Sequence, residues 1–197
     1  MGAQVYAFGV FDGHGGARAA QLLSELLPSA LQPVIGSSDK EACALEAFEA
    51  VDAAILERAA AEGWDDGSTA IIGCIDGCRL TLLNVGDCGA VLCSKGEGEG
   101  ARRVALCTPH RPTEPSEAQR LRAIGVEVSG DGRASGLAVS RAFGNRSIKT
   151  SEPRYLSVQP EVVSCHLAEG EQALLILACD GLWDSLRTIS PLMRRAR

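Results

Sequence analysis

Val5-Tyr-Ala-Phe-Gly-Val-Phe11, followed directly by Asp12-Gly-His-Gly-Gly16, is an apolar run that ends in a carboxylate, a histidine and three glycines. The run predicts a buried strand, and the polar end predicts a loop held rigidly at its edge. Far downstream, Leu174-Leu-Ile-Leu-Ala-Cys179 is a second apolar run, ending in Asp180-Gly181 and continuing as Leu182-Trp183-Asp184. A carboxylate beside a core strand is costly to desolvate unless it is paired. Two strands that each deliver one therefore predict a shared site for hard divalent cations with oxygen ligands, with His14 in reach of whatever the ions bind.

Working outward, the period of the apolar residues changes along the chain. Ala17 to Leu27 carries a helical stripe stopped by Pro28, and a loop follows to about Ser37. Ser38 with Glu41 forms a capping-box pattern for a long alanine-rich helix, with Leu45, Phe48, Val51 and Ile55 inward and Gly63 as its stop. Ser68–Ile75 and Cys78–Val85 flank Asp76-Gly77 as a tight hairpin, and Ala90–Cys93 with Val104–Cys107 form a second one. Ser116 with Gln119 opens a short helix from Glu117 to Ile124, after which Val126–Val128 resumes a strand. Arg146–Leu156 reads as irregular, and Val158–Leu167 with Leu174–Cys179 as a further strand pair. Consecutive hairpins between helices predict an α+β fold of mainly antiparallel sheets and not a βαβ alternation.

The 197 residues, 46% hydrophobic and 22% charged, suffice for one sizeable core, so a single domain over residues 1–197 is expected. A net charge of −6 argues against nucleic acid or anionic membrane as the main partner, and Arg194-Arg195-Ala196-Arg197 is too short to change that. No apolar run approaches the roughly 20 residues that span a bilayer. Without a secretory pattern at the start, an intracellular protein, cytoplasmic or nuclear, is expected. The eight cysteines contain no C-x-x-C pair and lie mostly in strand-like runs, which fits free thiols packed as small hydrophobes.

Six ordered segments together resemble one family, the metal-dependent type-2C (PPM) serine/threonine protein phosphatases. They are Val10-Phe-Asp-Gly-His-Gly-Gly16, Asp66-Gly-Ser-Thr-Ala70, Asn84-Val-Gly-Asp-Cys-Gly89, His110-Arg-Pro112, Leu137-Ala-Val-Ser-Arg-Ala-Phe-Gly144 and Ala178-Cys-Asp-Gly-Leu-Trp-Asp184. The resemblance implies a sandwich of two antiparallel sheets flanked by helices, in αββα layers, with a two-metal centre at one end. It implies Asp12 as the carboxylate bridging two Mg2+ or Mn2+ ions, Gly13 as a carbonyl ligand and Asp180 as a further ligand. Asp184 is implied at an additional, weaker metal position, and His14 as the acid that protonates the departing serine or threonine oxygen. The implied partners are phosphoprotein substrates. Two cations about 3.5–4 Å apart can activate a water for in-line displacement at phosphorus. A phosphocysteine route is disfavoured, since none of the cysteines is followed by arginine at C-x5-R spacing.

Segments that the resemblance implies beyond both ends, including an acidic ligand and a phosphate-holding arginine, have no counterpart in these 197 residues, so the domain is expected to be incomplete. Within the chain, Asn145 stands where an aspartate is implied at the extra metal position, and Pro109 where one is implied before His110. Two functions follow as expectations: a phosphoserine/phosphothreonine phosphatase with weak activity in this chain, or a pseudophosphatase that binds phosphoproteins without hydrolysis. Asp87 and Asn84 read as turn formers, Arg141 as an ion-pair partner, and His110 and His166 as residues without catalytic roles. Nucleotide binding, with Gly13-His14-Gly15-Gly16 cradling phosphate at a helix start, is a more distant alternative, disfavoured because the G-x-G-x-x-G and Walker patterns are both missing.

Overall fold

The computed structural model describes residues 5–95, 102–167 and 172–189. The first apolar run is strand β1 (Val5–His14), and it pairs antiparallel with β2 (Gly67–Asp76) along its whole length. Gly77, at φ 57°, turns β2 into β3 (Arg79–Val85), the hairpin expected from Asp76-Gly77. Strand β4 (Gly89–Lys95) pairs with β5 (Arg102–Ala105), which is the second expected hairpin.

Helix α1 (Arg18–Ala30) and helix α3 (Lys40–Glu62) cover one face of the β1–β2–β3 sheet. Ala19, Leu23 and Leu27 recur at i, i+4 and i+8 and are buried against Ala44, Phe48, Val51 and Ile55 of α3. Gly63, at φ 72°, ends α3 in the left-handed conformation expected of a C-cap glycine.

Several boundaries differ from the sequence reading. Pro28 lies inside α1 and does not stop it, because burial of Leu27 and Leu31 carries the chain through one more turn. The expected loop to Ser37 contains α2 (Gln32–Gly36), which has a proline in its first turn, where the missing N–H costs nothing. The N-cap of α3 is Asp39, whose carboxylate accepts from Ala42 N at 3.0 Å, so the Ser38 capping box is displaced by one residue. Helix α4 (Pro115–Ala123) starts before the expected Glu117, again with proline in the first turn. The expected strand Val126–Val128 is irregular. Helix α5 (Arg146–Lys149), a single turn, sits in the segment expected to be irregular.

The most consequential difference concerns the two last strands. Strand β7 (Glu161–His166) pairs with β3, whereas β8 (Gln172–Ala178) pairs with β4. The expected pair is thus split between two sheets; its proposed turn at Glu169-Gly170-Glu171 lies outside the described residues. One sheet runs β1–β2–β3–β7, with the two-residue β6 (Phe143–Gly144) also on β2, and the other runs β5–β4–β8. Both β7 and β8 alternate apolar residues toward a common interior, so burial is satisfied without pairing them to each other.

The sheets stack face to face. Ile71, Leu80 and Leu82 of the first meet Ala90, Leu175 and Leu177 of the second, with Val10, Cys88 and Cys179 in the same cluster. Helix α6 (Asp180–Ile189) begins immediately beyond β8. The result is an α+β sandwich of antiparallel sheets and helices, as expected. No helix among the described residues is long and apolar enough to cross a membrane.

On the other face of the first sheet, Phe48 is fully buried, and its ring meets that of Phe143 at 5.3 Å between centroids. Phe48→Ala is expected to lower unfolding free energy by about 3–5 kcal/mol. Chemical denaturation checks this, and a loss below about 1 kcal/mol would show that the helix–sheet contact is not part of the core.

Candidate metal centre

Strand register decides what stands at the end of the sandwich. Asp12 lies opposite Thr69, Gly13 opposite Ser68 and His14 opposite Gly67, while Gly89 lies opposite Ala178 at the end of β8. Sheet stacking then brings the end of β1 against the β8–α6 junction. One carboxylate oxygen of Asp12, one of Asp180 and the Sγ of Cys179 all lie within 4.8 Å of one another, each residue half-buried. Residues 12 and 180, distant in sequence, share one small volume. Two carboxylates suit hard cations such as Mg2+ and Mn2+. The thiol is a donor of softer type that the sequence reading had assigned to packing.

Asp184 is not among the three converging donors. It lies in the second turn of α6, and its carboxylate accepts from Arg111 Nη2 at 3.1 Å. Gly13 sits in the β1–β2 ladder, one residue beyond Asp12.

His14 Nε2 lies 2.7 Å from Asn145 Oδ1. With the carboxamide oxygen toward the ring, Nε2–H donates to Asn145, and Nδ1 is the ring nitrogen left for other partners. Asn145 is buried at φ 52°, and its backbone N–H donates to Asp66 O at 3.1 Å. The preceding Gly144 donates its N–H to Asp52 Oδ1 at 2.8 Å, and Lys149 Nζ donates to Asp52 Oδ2 at 2.6 Å. The Asp52–Lys149 pair thus fixes the strand from which Asn145 reaches His14. A Cβ at Gly67 would collide with both Asn145 Oδ1 and His14 Nε2, so a side chain there would push this pair apart. Asp66, in the same turn, accepts from Arg18 N at 3.0 Å and holds the start of α1 beside the glycine-rich loop.

The surroundings are strongly charged. Burial pushes the Asp87 carboxyl up, Arg111 opposes this, and the nearby Asp180 adds to it. Burial likewise pushes the Cys88 thiol up to about 12 although its hydrogen bond with Thr69 opposes the shift, so Cys88 packs as a neutral thiol. Arg111 bridges Asp87 and Asp184, at 3.1 Å from each. Its backbone is pinned through His110: His110 N donates to Gly86 O at 2.9 Å, and His110 Nδ1 accepts from Gly86 N at 3.1 Å.

Behind His110 lies a second network. Glu117, almost fully buried, accepts from Arg120, Ser140 and Arg141, and the Arg141 ion-pair role matches its sequence reading. Burial opposes ionisation of Glu117, but these donors outweigh it and hold the carboxyl at about 2. Burial first, and then the neighbouring Arg141, hold His110 down to about 3, so it is neutral and free to accept from Gly86.

Among these groups the sequence reading missed the Asn145–His14 bond, the Arg111 bridge and the Glu117 network. Only Glu117 with Arg120, one helical turn apart, left a local signal.

The neutral, buried His110 has a pH consequence. An unfolded chain takes up a proton at the ordinary value of 6.5, and the folded one not until about 3, so His110 contributes stability above pH 6.5 that is lost as pH falls toward 3. Glu117 adds a loss of the same sign, but only below 4.5. His110→Asn keeps an acceptor for Gly86 without titrating. Its thermal midpoint is expected to fall less than that of the parent between pH 6.5 and 4.5; parallel slopes would contradict this.

Comparison with known proteins matches residues 3–188 to the family described as Protein phosphatase 2C. "Probable protein phosphatase 2C 59" of Oryza sativa subsp. japonica is 39% identical over 188 residues, covering 93% of this chain and 54% of that protein. A protein of the same name from Arabidopsis thaliana is 38% identical over 181 residues, covering 90% of this chain and 55% of its own length. The crystal structure of a phosphatase from Toxoplasma gondii superposes with a TM-score of 0.75 at 26% identity, covering 93% of this chain and 70% of that one. The chain spans about half the length of the two curated relatives.

Proposed function

The chain belongs to the protein phosphatase 2C family, and on that premise we propose that it takes part in metal-dependent hydrolysis of phosphoserine and phosphothreonine in proteins. The observation that carries this reading is the meeting of Asp12 and Asp180 from opposite sheets. Asp12 and Asp180 would hold Mg2+ or Mn2+, with Gly13 offering its carbonyl. When bound, these ions supply activation of a water and neutralise charge at the phosphoryl group. The chain's own task is then placement. His14, held through its Nε2–H by Asn145, would pass a proton to the departing serine or threonine oxygen from Nδ1, the ring nitrogen that Asn145 leaves unengaged. No side chain of the protein needs to become phosphorylated in this scheme.

A second reading, phosphoprotein binding without turnover, is favoured by one observation. Among the described residues only two carboxylates converge, while Asp184 is engaged by Arg111. Fewer carboxylates mean weaker hold on Mg2+.

Assay of the purified protein on a phosphothreonine peptide with Mn2+ separates the two. Weak, Mn2+-dependent phosphate release is expected, and Asp12→Ala is expected to abolish it. Peptide binding with no phosphate release selects the second reading. Release that is indifferent to both Mn2+ and Asp12 contradicts the metal centre outright.

A further inference from the structure

Arg111 places one guanidinium between two carboxylates from separate segments, and it reaches them with two different nitrogens. Nε donates to Asp87 in the β3–β4 loop and Nη2 to Asp184 in α6, each at 3.1 Å. The two contacts are unequal. The Asp87 side chain is only 6% exposed, whereas that of Asp184 is 50% exposed. An ion pair with a half-exposed partner is worth little in water, so the Asp184 contact is the exchangeable one and the Asp87 contact the anchor. The Arg111 backbone cannot simply drift away: Glu114 N donates to Arg111 O at 3.0 Å, and the preceding His110 is clamped to Gly86 in both directions. A lysine at this position would keep the charge but lacks the fork that spans two carboxylates.

We infer that Arg111 is a positioning residue acting as an internal counter-cation. It ties α6 to the β3–β4 loop, keeps Asp184 out of the set formed by Asp12 and Asp180, and releases Asp184 only to a competing further cation. This rests on the reading of Asp12 and Asp180 as cation ligands. It accounts for the position of Asp184, which the sequence resemblance placed at a weaker metal position but which the fold directs to a guanidinium.

Equilibrium Mn2+ binding, read from the electron paramagnetic resonance signal of free Mn2+, tests this without recourse to catalysis. Arg111→Gln is expected to tighten the weakest binding step by about threefold, the worth of a half-exposed ion pair, since Asp184 no longer has to leave the guanidinium. Adding Asp184→Asn to that variant is expected to cancel the gain. A titration of Arg111→Gln that overlays the parent would overturn the inference, as would a gain that survives Asp184→Asn. Should Arg111→Gln fail to melt cooperatively, Arg111→Lys serves in its place. It is expected to show a smaller gain that again depends on Asp184, and absence of that gain counts against the inference. Asp12→Ala in the parent reads the underlying proposal separately. If it leaves the tight Mn2+ step unchanged, the Asp12–Asp180 centre fails, whereas the Asp184-dependent gain is scored on its own.

Discussion

The face-to-face packing of the two sheets is the constraint on which the rest depends. Asp12 ends a strand of one sheet and Asp180 follows a strand of the other, so neither ladder alone could bring them together. Ile71, Leu80 and Leu82 against Ala90, Leu175 and Leu177 set the spacing, and Val10 and Cys179 extend the same cluster to the carboxylate end. The free energy of that burial is what holds the two carboxyl groups within 4.8 Å of each other.

Charge is then balanced in layers around the pair. Arg111 engages Asp87 and Asp184, and the Glu117 cluster behind it holds Arg120 and Arg141. The neutral His110 stands between the layers and transmits position without adding charge. On the opposite flank, Asp52 and Lys149 fix Gly144, and through it the Asn145 that orients His14. Each of the polar clusters serves a backbone segment that would otherwise be a loose loop: residues 86–87 on one side and 144–145 on the other.

Much of this was legible in the chain itself. Strands β1 to β5 and the two strands around residues 158–179 announce themselves by apolar runs and by Asp-Gly or glycine-rich turns, and α3 by its periodicity and Gly63. Two apolar runs ending in Asp12 and Asp180 were enough to anticipate that those residues would meet. Helix starts were less legible, since Pro33 and Pro115 sit where local reading sees a loop and where a helix's first turn tolerates proline. The separation of β7 from β8 was not legible, because both alternate correctly for burial and only the stacking of sheets decides their partners. Nor were Asn145 with His14, 131 residues apart, or Arg111 with Asp184, 73 apart, since no local period links them.

Anomalous diffraction from crystals grown with Mn2+ addresses the shared centre most directly. Manganese peaks within about 2.0–2.6 Å of carboxylate oxygens of both Asp12 and Asp180 are the predicted result. Peaks that touch neither residue, or well-ordered carboxylates at both positions with no manganese between them, would contradict it.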